Sequence, residues 1–251
     1  MKPNIFIVGP SGTGKSSSAE NLDAEKTAIL NTEMKALPFR GAGKFKLNLP
    51  VPDMETFHKF FKKILEGEKT EVCLIESFTS MAEHQYRNSG KFFTGFDLWG
   101  NYKEEIGKIL LQSKNTNKYI IFTGIDQVIE GANGVEERCI AVEGSWKKKV
   151  EKEFVILLYS EMITNENGDP EYRFITNKQK GYEHIPAKSP RGMFPPTIPN
   201  DLNLVIKYIE AFYNDETMES VTEIKTESKK EVSETKEISE AEEMTKAENK
   251  Y

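Results

Sequence analysis

Residues Gly9–Ser16 read Gly-Pro-Ser-Gly-Thr-Gly-Lys-Ser, the spacing that is typical of a phosphate-binding loop. The glycines let successive backbone N–H groups converge on phosphate oxygens, because no Cβ restricts the chain there. Lys15 is expected to reach the β- and γ-phosphates, and the Ser16 hydroxyl to be a ligand of Mg²⁺. We predict that ATP and Mg²⁺ are bound by the loop and the serine after it, that is by Gly9, Pro10, Ser11, Gly12, Thr13, Gly14, Lys15, Ser16 and Ser17.

The segments on either side of the loop support this prediction. The apolar run Ile5–Val8 predicts a strand, and residues 17–22 predict a helix. A helix that begins at Lys15 would point the positive end of its dipole at the bound phosphates. Strand, loop and helix in this order predict a nucleotide site.

Glu76 is a second candidate ligand of Mg²⁺. It ends the apolar run Val72–Ile75, and a carboxylate at a strand end can hold Mg²⁺ directly or through a bound water. Ser77 follows it, so the chain lacks the adjacent Asp-Glu pair of AAA+ ATPases. We predict that Glu76 completes the metal site with Ser16.

Apolar strands alternate with helical patterns up to about residue 213. Further strands are predicted at 27–32, 71–76, 118–123 and 154–159, and loops at 34–50, 126–137 and 177–200. Helices are predicted from 53, from 78 up to a turn near 88–90, at 99–111 and from 201, and a hairpin turn at 165–169. This pattern predicts a three-layer α/β P-loop NTPase with a mainly parallel sheet and a β-hairpin extension. The carboxyl ends of parallel strands share one edge, so the loop, Glu33, Glu76 and Thr123 should meet there.

The charge of the chain is concentrated at its carboxyl end. Residues 214–251 hold 12 acidic and 6 basic residues, which leaves 28 of each sign in residues 1–213. The composition of 214–251 cannot bury a core, so we predict a domain at 1–213 and a disordered acidic tail at 214–251. This tail is expected to compete with DNA for basic patches, to recruit a partner, or simply to aid solubility.

The chain resembles phage-encoded P-loop ATPases of the AAA-type or RecA-like group, including single-strand annealing ATPases. The elements that carry the likeness lie between residue 1 and about residue 213, and they are the phosphate loop, Asn31-Thr32-Glu33, Leu74-Ile75-Glu76-Ser77, the Trp99-Gly100 helix and Ala187-Lys188-Ser189-Pro190. The resemblance implies a RecA-like fold and Mg²⁺-dependent ATP hydrolysis in phage DNA recombination, annealing or replication. It also implies that Glu33 activates the attacking water and that Thr123 senses the γ-phosphate.

The same resemblance implies a homo-oligomeric ring or filament and binding of single-stranded DNA. A cation from a neighbouring copy would then complete the site, and candidates lie beyond the hairpin at Lys178, Lys180, Lys188 and Arg191. Two basic patches with aromatic residues are candidate DNA contacts, residues 35–46 with Phe39 and Phe45, and residues 147–149 beside Trp146.

Two other functions stay open from the residues alone. One is a nucleotide-gated binding module for DNA or protein with negligible turnover, which Glu76 in place of the usual Asp leaves possible. The other is a P-loop kinase for a small molecule, which the absence of an arginine cluster disfavours. No apolar run approaches the ~20 residues of a membrane span and no signal peptide is recognisable, so we expect a cytoplasmic protein without membrane contact, in the host cytoplasm if it is phage-encoded.

Overall fold

The structure, a computed structural model, describes residues 1–130 and 134–216. The chain divides into two units, with the boundary between Asn203 and Leu204. The first unit contains the whole β-sheet and the phosphate loop. The predicted boundary at residue 213 stays a prediction, and the predicted tail lies outside the described residues from residue 217 onward.

The described residues form ten strands and four α-helices. The strands are β1 (Ile5–Val8), β2 (Thr27–Asn31), β3 (Leu47–Pro50), β4 (Val72–Glu76), β5 (Tyr119–Gly124), β6 (Asp126–Glu130), β7 (Glu136–Ile140), β8 (Ile156–Thr164), β9 (Pro170–Ile175) and β10 (Thr197–Pro199). The helices are α1 (Met54–Glu66), α2 (Phe78–Gly90), α3 (Gly95–Lys114) and α4 (Leu202–Tyr213).

Eight strands form one sheet in the order β10-β9-β8-β1-β5-β4-β2-β3. The six strands from β8 to β3 run parallel to one another, and β9 and β10 extend the sheet in antiparallel pairing. The predicted hairpin is therefore β8–β9, and it widens the main sheet. The predicted α/β fold with a mainly parallel sheet and a β-hairpin extension is confirmed.

The central strands are apolar because both of their faces are covered. Every residue of β1, β2, β4 and β5 is buried. Phe6 of β1 and Phe122 of β5 stack with ring centroids 6.2 Å apart, and Phe78 of α2 and Phe154 meet them edge-on. Strands covered on both faces are continuous apolar runs in the sequence, which is why they could be predicted from it.

Helix α1 begins and packs as its sequence predicts. The side chain of Asp53 accepts a hydrogen bond from the N–H of Thr56 at 2.8 Å, which caps the helix. Phe57, Phe61 and Ile64 are buried against the sheet core. These aromatic side chains are core residues, as expected from their helical spacing.

The predicted helix after the phosphate loop is wrong. Residues 17–22 contain only one short 3₁₀ turn at Ser17–Ala19. Three consecutive serines disfavour an α-helix because their hydroxyls compete for backbone groups, and the Ser18 hydroxyl donates to the Lys15 carbonyl oxygen at 2.5 Å. The expected contribution of a helix dipole to phosphate binding is therefore absent from residues 15–22.

Three strands lie where loops were predicted. β3 falls within 34–50, β6 within 126–137 and β10 within 177–200. β3 and β10 are the two edge strands, and β6 pairs only with β7 in a separate two-stranded ribbon. Each has partly exposed residues, so the apolar pattern that identifies a central strand is weak there.

Among the described residues, no helix is both long enough and apolar enough to cross a bilayer.

Candidate functional site

The carboxyl ends of β1, β2, β4 and β5 bring the predicted site residues to one edge of the sheet. In the strand register Val8 lies opposite Gly124, and Asn31 lies opposite Glu76. A cleft of about 750 Å³ opens at this edge, a volume in the range of small-molecule sites. It is lined by Ser11, Gly12, Gly14, Lys15, Ser16, Ser17, Glu20, Glu33, Lys35, Pro38, Glu76, Ser77, Gly124, Ile125, Tyr172 and Asn200.

Lys15 is held by the backbone of its own loop. Its Nζ donates to the carbonyl oxygen of Gly9 at 2.8 Å and to that of Pro10 at 2.6 Å. Burial lowers the pKa of Lys15, and nearby carboxylates oppose this shift, Glu76 most strongly. A bound triphosphate would offer this ammonium group a fully charged partner in place of two carbonyl oxygens.

The phosphate loop is packed closely against the β8–β9 side of the sheet. A Cβ added to Gly9 would lie 2.3 Å from the carbonyl oxygen of Ser160, so only glycine fits there. Gly14 has φ +87°, and its Cβ would lie 3.0 Å from Cδ1 of Tyr172. The Ser160 hydroxyl donates to the carbonyl oxygen of Thr13 at 2.6 Å, and the Thr13 hydroxyl donates to that of Pro10 at 2.9 Å.

Glu76 lies directly beside the predicted metal ligand Ser16. The Ser16 hydroxyl donates to Oε1 of Glu76 at 2.5 Å, and the Glu76 side chain is almost fully buried, with the residue only 9% exposed. Burial raises the pKa of Glu76, and the hydrogen bonds from Ser16 and Thr123 partly offset that shift.

The hydroxyl of Ser16 and the carboxylate of Glu76 are hard oxygen donors, which fit Mg²⁺. Within residues 1–130 and 134–216 no group of three or more His, Cys, Asp or Glu side chains could hold a metal ion. A metal at this position would thus draw its other ligands from phosphate oxygens and water, as is usual for Mg²⁺ in nucleotide sites.

Glu33 lies in the same cleft and is held by two neighbours. Its Oε1 accepts from the Ser77 hydroxyl at 3.0 Å, and its Oε2 forms an ion pair with Lys35 at 2.7 Å. Partial burial acts to raise the pKa of Glu33, but the hydrogen bonds from Lys35 and Ser77 outweigh it and the net pKa is lowered. The carboxylate is therefore ionised at neutral pH.

Thr123 lies behind Glu76 and does not line the cleft. Its hydroxyl donates to Oε2 of Glu76 at 2.5 Å, and the residue is fully buried. In this arrangement Thr123 contacts the acid and orients it, so any effect on the γ-phosphate would pass through Glu76.

Four residues of the site were not found in the sequence: Ser77, Ser160, Tyr172 and Asn200. Ser77 follows Glu76, and its hydroxyl donates a hydrogen bond to Glu33. In the sequence Ser77 counted only as the position where a second acid is missing, whereas in the structure it orients Glu33. Ser160, Tyr172 and Asn200 come from the hairpin and from the turn after β10, 144 or more residues beyond Ser16 in the chain. Only the sheet order, which places β8 beside β1, brings them to the loop.

The two predicted DNA patches have fewer stacking surfaces than their sequences suggest. Phe45 and Trp146 are buried, and Phe39 packs edge-on against Phe45 with centroids 5.8 Å apart. Exposed aromatic side chains are grouped instead at the corner between α2 and α3, and this aromatic corner comprises Phe92, Phe93, Phe96 and Trp99.

The four candidate cations beyond the hairpin do not line the cleft of their own chain. Lys188 pairs through its backbone with Leu157 of β8, and the carboxylates of Glu151 and Glu153 act on its ammonium group. Burial lowers the pKa of Lys188, and these two acids oppose that shift.

A known protein family matches most of this chain. The family model described as an AAA domain matches residues 1–191, which include the loop, Glu33, Glu76 and Thr123. A search of curated proteins finds no match. A solved structure of a KaiC-like protein from the hyperthermophilic archaeon Pyrococcus horikoshii OT3 is similar to this chain at 11% identity, with 72% of this chain and 82% of that chain covered and a TM-score of 0.41.

Proposed function

Because the chain belongs to the AAA domain family, we propose that it binds ATP at Gly9–Ser17 and hydrolyses it with Glu33 as the base. The observation that carries the proposal is the meeting of three groups in one cleft. Lys15 on the phosphate loop, the Ser16–Glu76 pair and the ionised Glu33 all lie at the same edge of the sheet.

Each residue then has a defined task in the reaction. The backbone N–H groups of the loop and the Nζ of Lys15 bind the phosphates and stabilise negative charge on the γ-phosphoryl group. Ser16 and Glu76 would hold Mg²⁺, which would neutralise part of the phosphate charge. Glu33 orients a water and takes its proton as the water oxygen attacks the γ-phosphorus and the bond to the β–γ bridging oxygen breaks, which yields ADP and phosphate.

The test is phosphate release by the wild-type chain, Lys15→Ala and Glu33→Gln, together with equilibrium binding of ATP. We expect Lys15→Ala to lose binding and release together. Glu33→Gln should keep binding and lose about 10²- to 10⁴-fold in rate, the usual contribution of a general base. Lys46→Ala, a change in the same part of the chain but outside the cleft, is the control and should match the wild type. Equal rates for Glu33→Gln and the wild type would exclude Glu33 as the base.

A nucleotide-gated binding module is the second candidate, and one observation favours it. Both oxygens of Glu33 are already engaged, by Ser77 and by Lys35, so the carboxylate must be freed before it can bind a water. Under this alternative the chain binds ATP tightly, and phosphate release is negligible in the wild type and in Glu33→Gln alike.

The proposal extends to single-stranded DNA as a stimulating partner in phage recombination, annealing or replication. Support comes from the resemblance stated above, from the exposed lysines and arginine of residues 35–46, and from the aromatic corner, where Phe96 is 96% exposed. Exposed rings can stack on unpaired bases while lysines bind phosphates. Phosphate release should rise when a single-stranded oligonucleotide is added, and Phe96→Ala should reduce that rise without changing the basal rate.

A further inference from the structure

The cleft extends away from Glu33 toward the β9 side of the sheet. Glu33 follows β2, whereas Tyr172 lies on β9, and β8, β1, β5 and β4 lie between these two strands. The axes of β2 and β9 are thus five spacings of about 4.8 Å apart, and the Tyr172 ring reaches over β8 to the phosphate loop. The γ-phosphate belongs beside Glu33 and Glu76, so the nucleoside of the same ligand must point toward β9.

Tyr172 and Asn200 form the wall of the cleft at this β9 end. The backbone N–H of Asn200 donates to the carbonyl oxygen of Tyr172 at 3.3 Å, so the two residues are fixed relative to each other. Both contact the phosphate loop at Gly14, where an added Cβ would lie 3.0 Å from Tyr172 and 3.1 Å from Oδ1 of Asn200. Tyr172 is 42% exposed, which leaves part of its ring open to a ligand.

The hydrogen-bond network fixes which atom Asn200 presents to the cleft. The Ser160 hydroxyl donates its only proton to the carbonyl oxygen of Thr13, so its own oxygen can only accept. Asn200 must then direct its Nδ2 to Ser160, and it does so at 3.1 Å. The opposite atom, Oδ1, is left beside Gly14 as a hydrogen-bond acceptor.

We propose that Tyr172 and Asn200 bind the base of the nucleotide and select adenine over guanine. The Tyr172 ring stacks on the base, and Oδ1 of Asn200 accepts a hydrogen bond from the 6-amino group of adenine. Guanine carries a carbonyl oxygen at that position, so it would place a second hydrogen-bond acceptor opposite Oδ1 of Asn200. Both oxygens would then be desolvated without a hydrogen bond between them. This inference rests on the proposed nucleotide binding and adds the base preference to it.

The experiment compares ATP, GTP and inorganic tripolyphosphate as ligands, each measured by titration calorimetry. Tripolyphosphate reports on the phosphate loop alone. We expect the wild type to bind ATP more tightly than either GTP or tripolyphosphate. Tyr172→Ala should weaken ATP binding by about 5- to 150-fold, the usual contribution of one base stacked on an aromatic ring, and should leave tripolyphosphate affinity unchanged.

Three further variants sharpen the result. Tyr172→Phe keeps the ring and should retain ATP affinity. Asn200→Ala should bring the ATP and GTP affinities together, a change in ratio that mere loosening of the loop does not produce. Tyr86→Ala removes a tyrosine of similar exposure (39%) outside the cleft and should have no effect.

Two outcomes overturn the inference while leaving the proposed function intact. One is a wild type that binds ATP, GTP and tripolyphosphate equally. The other is a Tyr172→Ala variant that loses ATP and tripolyphosphate affinity in the same proportion, because Tyr172 would then act on the loop and not on the base. A wild type that binds none of the three ligands would instead contradict the proposed function itself.

Discussion

The proposed role of Glu76 in metal binding conflicts with the stability of the free chain. Because burial raises the pKa of Glu76 above its unfolded value, the folded state binds its proton more tightly than the unfolded state does. The free energy of unfolding is therefore highest below the unfolded pKa and falls as the pH rises through the interval up to the folded pKa. Keeping this carboxyl group buried therefore costs the free chain stability as the pH rises, and a bound cation would offset that cost.

We predict that Glu76→Gln stabilises the nucleotide-free chain at neutral pH and abolishes Mg²⁺-dependent ATP binding. Replacing the buried carboxyl group by an amide should raise the free energy of unfolding by about 1–3 kcal/mol. Each kcal/mol corresponds to about 2–4 °C in Tm for a chain of this size. Differential scanning calorimetry measures the shift, which should vanish as the pH falls to the ordinary carboxyl range. Glu68→Gln, at an exposed position, is the control and should not move Tm. A Tm for Glu76→Gln below that of the wild type would contradict the prediction.

Lys35 is predicted to control the basicity of Glu33 with little effect on stability. The ion pair is largely exposed on the lysine side, so its contribution to the free energy of unfolding is small. Yet Lys35 is the main group that lowers the pKa of Glu33 against the opposing effect of burial. Lys35→Ala should therefore raise the pKa of Glu33.

The measurement is the pH dependence of kcat for phosphate release. The base must be ionised, so the acidic limb of the profile should move to higher pH in Lys35→Ala, and the Tm should stay close to that of the wild type. Lys46→Ala, whose Nζ contacts only a backbone carbonyl oxygen among the hydrogen bonds described, should keep the wild-type profile. Superimposable profiles for Lys35→Ala and the wild type would show that Lys35 does not act on the base.

At the scale of elements, the phosphate loop depends on the close approach of β8 to the end of β1. The Cβ of an alanine at position 9 would lie 2.3 Å from the Ser160 carbonyl oxygen, a backbone atom that cannot move without disturbing the β1–β8 pairing. Gly9→Ala should lower the free energy of unfolding by about 1–3 kcal/mol and should weaken ATP binding.

Thermal unfolding and ATP titration of Gly9→Ala test this contact. Gly43→Ala is the matched control, because nothing lies within 4 Å of the added methyl group and its backbone conformation is compatible with alanine. We expect Gly43→Ala to match or slightly exceed the wild type in Tm. Equal stability of the two variants would mean that β8 does not constrain the loop.

The sequence predicts well those strands and helices whose own residues carry a strong pattern. Buried strands such as Val72–Glu76 are continuous apolar runs, and α1 has a capping aspartate and a regular apolar stripe. Edge strands lack such runs, and the serines after Lys15 favour local hydrogen bonds over the helix that the loop pattern implies. Glu33 and Glu76 could be located because each ends a strand that the sequence identifies.

The remaining site residues depend on long-range topology. Asn200 reaches the phosphate loop only because β10, β9 and β8 are added to the sheet beside β1. Nothing within a window around Asn200 or Tyr172 distinguishes these residues from other polar and aromatic residues of a loop and a hairpin. Their role follows from the register of the whole sheet, which one sequence does not provide.

At the scale of the whole molecule, the described residues of the cleft offer the γ-phosphate no free cation besides Lys15. Among the described residues that line it, the cations are Lys15, which the loop binds, and Lys35, which Glu33 binds. Lys188 interacts with Glu151 and Glu153 and does not line the cleft, and Lys178, Lys180 and Arg191 also lie outside it. We therefore predict that a neighbouring copy supplies the cation and that phosphate release per chain rises with protein concentration.

Mixing inactive variants tests this prediction directly. Lys178, Lys180, Lys188 and Arg191 are each changed to Ala in turn. The variant that loses kcat but keeps ATP affinity identifies the residue that supplies the cation. In an equimolar mixture with Glu33→Gln, about a quarter of head-to-tail interfaces would combine an intact Glu33 with an intact cation, so activity should return to roughly that fraction. Lys15→Ala mixed with Glu33→Gln should stay inactive, because both changes affect residues of the same cleft. If no mixture regains activity and the rate per chain is independent of concentration, each chain must complete its own site.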